Sequence, residues 1–96
     1  MTIIPLLTTS DIPLWQTTNA STRDTLAAKP GVYGVGAWAH FGNLGLPSAA
    51  TGYVESVTAG GGATSILKAT LLVSGAWKQY GCRKASGVWE DWSSMS

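Results

Sequence analysis

The stretch Thr64-Ser-Ile-Leu-Lys-Ala-Thr-Leu-Leu-Val73 decides the fold that the sequence predicts, because its side chains alternate between an apolar and a mixed set. One set consists of Leu67, Ala69, Leu71 and Val73, and the other of Ile66, Lys68, Thr70 and Leu72. Alternation with a period of two is typical of a β-strand that buries one face. We therefore predict that this stretch is the central strand of a sheet.

Turn signals separate this strand from further strand-like segments on both sides. The predicted strands are Gly52–Thr58, Ala76–Lys84 and Val88–Trp92, and the predicted turns are Ala59–Ala63, Ser74–Gly75 and Ala85–Gly87. Strands of this length with glycine-containing turns between them are typical of an antiparallel meander. The fold class is therefore predicted to be all-β, a small antiparallel sheet or sandwich-like knob with glycine-rich turns.

The knob domain is predicted to comprise residues 30–96. Lys29-Pro30-Gly31 is a turn signal, and it opens a predicted strand from Val32 to Ala39. The glycines and the proline between His40 and Thr51 favour an irregular loop.

Residues 1–29 have a different composition, rich in Thr and Ser, with two prolines and scattered apolar residues. No helical or strand period is sustained there, apart from a short helical turn between Ser21 and Ala28. We predict an extended N-terminal strap that docks on the body of the domain or on a neighbouring subunit. The first residues lack the basic region of a secretory signal, and no segment reaches the roughly 18 apolar residues of a membrane span.

Charge is scarce in this chain of 96 residues. Only 11% of the residues are charged, and the net charge is +1, whereas a typical globular domain has about 25% charged residues. This shortage favours a surface that is partly covered by copies of the chain or by a larger assembly. Because no basic stripe is present, nucleic acid is not an expected partner.

The sequence offers little of the machinery of catalysis. Cys82 is the single cysteine, so no disulfide within the chain and no cysteine-rich metal site can form, and a buried thiol is expected. His40 is the single histidine and has no recognisable nucleophile motif nearby, and the adjacent Glu90 and Asp91 point to opposite sides of a strand. We therefore predict no catalytic residues, no metal and no cofactor.

The aromatic residues allow two interpretations. Trp89 and Trp92 are three positions apart, which in a strand places them on opposite faces, one in the core and one at an edge or interface. The other aromatic and polar residues near turns give a candidate ligand site, in which rings stack on a sugar and polar groups bind its hydroxyls. Its members are Trp38, His40, Asn43, Trp77, Gln79, Tyr80 and Arg83.

Several of these segments, in this order, resemble the pyocin-knob type of domain found in phage tail fibres and in the fibres of phage-tail-like bacteriocins. The segments are Leu26–Tyr33 with its Pro-Gly-x-Tyr opening, Gly52–Val54, the trio Gln79, Tyr80 and Arg83, and the final Gly-x-Trp-x-x-Trp of Gly87–Trp92. The resemblance spans roughly residues 22 to 95.

The resemblance implies a non-enzymatic protein of a virion or virion-like fibre. It is expected to be made in the cytoplasm of the bacterial host and to form a homo-oligomer, with a trimer favoured. Other fibre proteins are expected to bind residues 1–29, and bacterial surface polysaccharide is the expected external partner, without insertion into a membrane. The expected function is a contribution to attachment to that polysaccharide, and the alternative is a purely structural role as a decoration or spacer component that binds no glycan.

Overall fold

The computed structural model describes residues 14–35, 38–47, 50–60 and 64–95. Residues 1–13, which form the first half of the predicted strap, lie outside this described part. The described elements are β1 (Leu14–Gln16), α1 (Arg23–Ala28), β2 (Gly31–Val35), α2 (Trp38–Leu44), β3 (Gly52–Ala59), β4 (Thr64–Val73), β5 (Ala76–Ala85), β6 (Val88–Trp89) and β7 (Ser93–Ser94).

The strands form one open sheet in the order β1-β2-β3-β4-β5-β6, and β7 also pairs with β5. All pairs are antiparallel except β1 with β2, which run parallel. The predicted β class and the central position of β4 are confirmed. The prediction of an all-β, antiparallel or sandwich-like knob is confirmed in part, because the described strands make one open sheet that is mainly antiparallel but mixed, and two short helices accompany it.

The described part of the predicted strap, residues 14–29, contains β1 and α1. Thr22 is the N-cap of α1: its Oγ1 accepts from the Thr25 backbone N–H at 3.3 Å, and the Thr25 hydroxyl accepts from the Thr22 backbone N–H at 2.8 Å. This reciprocal pair is a capping box, which satisfies two N–H groups that a helix start leaves without partners. The capping box therefore stabilises a helix that is only six residues long.

The segment predicted as the end of a strand and an irregular loop is α2 instead. Gly45 follows the helix with φ +70°, the Gly45 N–H donates to the Gly42 carbonyl at 3.1 Å, and the Leu46 N–H donates to the Phe41 carbonyl at 2.9 Å. These two bonds form a Schellman motif, in which a left-handed glycine ends a helix. The burial of Phe41 and Leu44 stabilises a helix that contains an internal glycine.

The predicted turns on both sides of β5 are confirmed. Ser74 and Gly75 have φ of 51° and 80°, and Ser86 and Gly87 have φ of 54° and 78°. Positive φ at both central residues is the signature of the tight hairpin turns whose twist matches that of the strands. The two Ser-Gly pairs therefore set the register of β4 with β5 and of β5 with β6.

The core lies between one face of the sheet and the two helices. Leu67, Ala69 and Leu71 of β4 are fully buried, and Val54 from β3 and Leu26 from α1 join them. Cys82 is buried in the same cluster, as predicted, and its burial raises the pKa of its thiol. We call this side of the sheet the core face.

The C-terminal tryptophans both pack against this core. Trp89 ends β6 and Trp92 follows the strand, so the prediction that they occupy opposite faces of one strand is wrong. The Trp92 indole N–H donates to the Leu44 carbonyl at 2.9 Å, where it satisfies one of the last acceptors of α2. The C-terminal segment therefore fixes the end of this helix.

Among the described residues, no helix is long and apolar enough to cross a membrane.

Candidate functional site

The side of the sheet opposite the core face, here called the open face, carries most of the exposed apolar surface. Strand alternation and the pairing registers assign to this face eight of the nine large apolar residues that are exposed in the described ranges. They are Leu14, Tyr53, Val57, Ile66, Leu72, Trp77, Val88 and Met95. An antiparallel sheet often leaves one face in water, but that face is then usually polar. A concentration of exposed apolar side chains on one face indicates a binding surface.

The charges on the open face offset one another. Glu55 of β3 stands directly opposite Lys68 of β4 in the strand register. At one margin, the Arg83 guanidinium donates two hydrogen bonds to the Glu90 carboxylate, at 2.9 and 3.1 Å. This two-pronged ion pair raises the pKa of Arg83, so the side chain stays charged. The open face therefore presents apolar groups without a net excess of either charge from these four residues.

A groove of about 400 Å³ crosses the open face where β5 has a glycine instead of a side chain. Gly81 and Met95 both line it, and the Met95 sulfur lies 2.9 Å from the position that a Cβ on Gly81 would take, so the glycine leaves room for the Met95 side chain. Ile66 and Met95 supply apolar walls, and Arg83 and Glu90 lie at the border. The groove has the dimensions and chemistry to receive one apolar side chain.

Near the middle of the open face, Thr70 is 7% exposed. Its Oγ1 is buried and has no hydrogen-bond partner among the described residues. Tyr53 and Gln79 stand opposite Thr70 on the two neighbouring strands. A buried hydroxyl without a hydrogen-bond partner is destabilising. Thr70 therefore lowers the stability of the isolated chain.

The seven residues predicted as a ligand site fall into three groups. Trp77, Gln79 and Arg83 belong to the open face, and Tyr80 belongs to the core face because it pairs with Ala69. The remaining three, Trp38, His40 and Asn43, lie on α2. Trp38 begins α2, the element that follows β2, whereas Trp77 is the second residue of β5, three strands away from β2 in the sheet order.

The α2 group has its own polar arrangement. Both ring nitrogens of His40 have partners: Nδ1 lies 2.7 Å from Thr17 Oγ1, and Nε2 lies 3.2 Å from Asn19 Oδ1. Asn43 donates from Nδ2 to the Asn19 carbonyl at 3.0 Å. These contacts hold the segment after β1 against α2. Trp38, in contrast, is 82% exposed at the start of the helix.

A second polar cluster ties α1 to the C-terminal hairpin. Lys84 Nζ and Trp89 Nε1 both donate to Asp24 Oδ1, at 2.7 and 2.9 Å. These two bonds, that of Lys84 first, lower the pKa of Asp24 from its ordinary value of 3.8. Arg23 adds a bond of 2.9 Å to the Glu90 carbonyl and lies over the Trp89 ring. This cluster has a structural role, because its hydrogen bonds hold α1 against the C-terminal hairpin.

Reasoning from the sequence missed most of the open face. Tyr53 and Val57 of β3, and Met95 near the C-terminus, were not among the predicted site residues. The available signal was the mixed outer set of β4, in which Ile66 and Leu72 are too apolar for a solvent-facing strand.

In the described ranges, no three His, Cys, Asp or Glu residues lie close enough together to hold a metal ion. No protein-family model, curated protein or solved structure matches the chain. The similarity to pyocin-knob domains therefore stays a prediction from the sequence, and the open face is the strongest structural indication of function.

Proposed function

We propose that this chain is a non-enzymatic structural subunit of a virion or tail-fibre-type assembly, and that it acts by protein contact through its open face. The observation that carries the proposal is the concentration of eight exposed large apolar side chains on one side of one sheet. Protein interfaces have apolar centres depleted of charge, with aromatic residues and methionine enriched. Tyr53, Trp77 and Met95 fit this composition.

The composition of the whole chain supports the same function. A charged content of 11% is low for a protein that remains free in solution, and it suits a subunit with much of its surface covered. The resemblance to fibre knobs supplies the kind of assembly. The motifs that carry it include core and turn residues such as Tyr33 and Gly87 as well as Tyr53 of the open face.

Attachment to bacterial surface polysaccharide is a second candidate function, favoured by one specific observation. Among the large apolar residues that the structure describes as exposed, Trp38 is the most exposed, and it is the one of these that lies outside the open face, on α2. A flat exposed indole is suited to stacking on a sugar ring. This site remains accessible when the open face is covered.

Two experiments separate these functions. For the first, particles are purified from cells that express the gene, and hydroxyl-radical labelling is compared between the particles and the dilute purified chain. A structural subunit sediments with the particles and shows protection of Tyr53, Trp77 and Met95, while Trp38 is labelled equally in both samples. Absence from the particles, or equal labelling of the open face in both samples, contradicts the proposal.

For the second, the purified chain is titrated against a panel of intact and polysaccharide-stripped bacterial cells. Attachment predicts saturable retention on intact cells that is lost on stripping and in Trp38→Ala. A structural subunit shows no retention that depends on polysaccharide. Trp77→Ala, which removes an exposed indole from the open face and leaves α2 unchanged, serves as the matched control for loss of an indole.

A further inference from the structure

We propose that the partner of the open face is a second copy of this chain, and that two open faces pack together as a two-fold symmetric, two-sheet β-sandwich. This inference rests on the proposed function and specifies the partner within it. A sheet with an apolar face is stabilised by a second layer, and sheet-on-sheet packing about 10 Å apart is a common solution. The core face already has its layer, α1 and α2, whereas the open face has none among the described residues.

The size of the open face matches what a stable dimer requires. Strands β3, β4 and β5 contain 8, 10 and 10 residues. With β1 and β2 added, these strands contain 36 residues, which at about 4.8 Å between strands and 3.4 Å per residue give the face a projected area of roughly 590 Å². The accessible area of a surface covered by side chains exceeds its projection. It therefore approaches the roughly 800 Å² that each partner contributes to a standard-size interface.

The charges of the open face are compatible with self-association. In a two-fold interface the same patch faces itself, so a patch of one sign repels its copy. Here Glu55 and Lys68 are cross-strand neighbours, and Arg83 is paired with Glu90. A second copy therefore meets a face without an excess of one sign. A strongly charged partner finds no complementary field on this face.

The shape of the open face is also complementary to the side chains of a second sheet. The groove above Gly81 is bordered by Ile66 and Met95 and is wide enough for one apolar side chain. Exposed apolar side chains on the open face of the second copy fit such a groove. Examples are Trp77 at 62% exposure and Val88 at 67%. Interdigitation of ridges and grooves of this kind is how paired sheets reach core density.

The test measures the mass of the full chain by sedimentation velocity from about 1 µM to 1 mM, a range that brackets weak and strong dimers. The disrupting variant carries Val57→Lys and Ile66→Lys, which replace two cross-strand neighbours of the open face that are 52% and 38% exposed. The matched control carries Trp38→Lys and Ala39→Lys, two exposed neighbours on α2. Circular dichroism of each variant at the lowest concentration verifies the fold.

We expect the wild type to form a dimer as its concentration rises, and the disrupting variant to dimerise at least about a hundredfold more weakly, because buried like charges oppose association. The control variant is expected to match the wild type. A wild type that stays monomeric at the highest concentration overturns the inference, as does a control that weakens association as much as the disrupting variant.

The same experiment separates this inference from the proposed function. A trimer or larger oligomer that the open-face variant abolishes overturns the two-fold pairing, but it keeps the open face as an assembly surface. A monomeric wild type whose open face is protected in particles also overturns the pairing, and it identifies a different protein as the partner. If the open face of a monomeric wild type is equally labelled in particles and in solution, both proposals fail.

Discussion

The core face and the open face of this sheet contain similar apolar residues in different surroundings. Within β4, Leu67 and Leu71 are completely buried, whereas their neighbours Ile66 and Leu72 remain 38% and 39% exposed. The difference lies in what the topology places above each face: α1 and α2 cover one, and no described element covers the other. Burial in a small sheet is thus decided by the connections between strands as much as by the residues of the strands.

This contrast predicts a division of roles. The core face supplies the free energy of folding, because removing apolar surface from water is the main favourable contribution to it. The open face contributes little to the folding of the isolated chain and retains that surface for a partner. Substitutions on the two faces are therefore expected to differ in both the size and the kind of their effect.

The largest expected effect comes from substituting neighbours on opposite faces of β4. Leu67→Ala removes a fully buried side chain, so we expect the free energy of unfolding to fall by about 3 kcal/mol. Ile66→Ala, on the open face, is expected to lower it by less than about 1 kcal/mol. Urea unfolding at a concentration where the chain is monomeric measures both values. Equal losses would show that the two faces do not differ in the isolated chain.

A smaller effect of opposite sign is expected at Thr70. Thr70→Val replaces a buried hydroxyl that has no partner in the described structure with a methyl group of similar shape. We expect the free energy of unfolding to rise by about 1 kcal/mol, because the cost of burying an unpaired hydroxyl is removed. Thr58→Val, at an exposed position of β3, is the control and should change little. A loss of stability in Thr70→Val would mean that the hydroxyl has a partner in solution.

The smallest effect concerns Asp24, which is exposed and links α1 to the C-terminal hairpin. Because the bonds from Lys84 and Trp89 lower its pKa in the folded state, its contribution to stability is present above its ordinary pKa of 3.8 and is lost as the pH falls. Asp24→Asn should therefore flatten the decline in stability below about pH 4. Urea midpoints measured across this pH range provide the test.

Lys84→Gln removes the principal donor to Asp24 and should flatten the same part of the profile. If wild type, Asp24→Asn and Lys84→Gln decline in parallel on acidification, the Asp24 cluster does not contribute to acid sensitivity. Measurement at moderate salt is required, because exposed ion pairs are screened.

The central hairpin was predictable because local physics determines it. The alternation in β4 identified the buried residues, and the two Ser-Gly pairs identified the turns that β5 requires. Both signals act over a few residues, so a single sequence contains them in full. The burial of Cys82 follows from the same alternation in the next strand.

Helix α2 was not predictable in the same way. Its internal Gly42 and its aromatic residues are weak helix formers, and the helix is stabilised by the burial of Phe41 and Leu44 against a sheet that forms from distant residues. The one local signal was Gly45 at the position of a helix C-terminus. The open face was not predictable for a related reason. A sequence shows which residues alternate along a strand, but not which face of the sheet the helices cover.

The hydrogen bonds between α1 and the C-terminal hairpin have a consequence for biosynthesis. They join residues 60 to 67 positions apart, through Asp24 with Lys84 and Trp89 and through Arg23 with Glu90. Contacts of such separation form late, because a long chain segment must first be closed into a loop. A ribosome-bound chain that has not yet emerged as far as Lys84 lacks all of these contacts, and the contact of Arg23 must also wait for Glu90. Nascent chains are expected to have a period during synthesis when they depend on chaperones, before the last hairpin closes the fold.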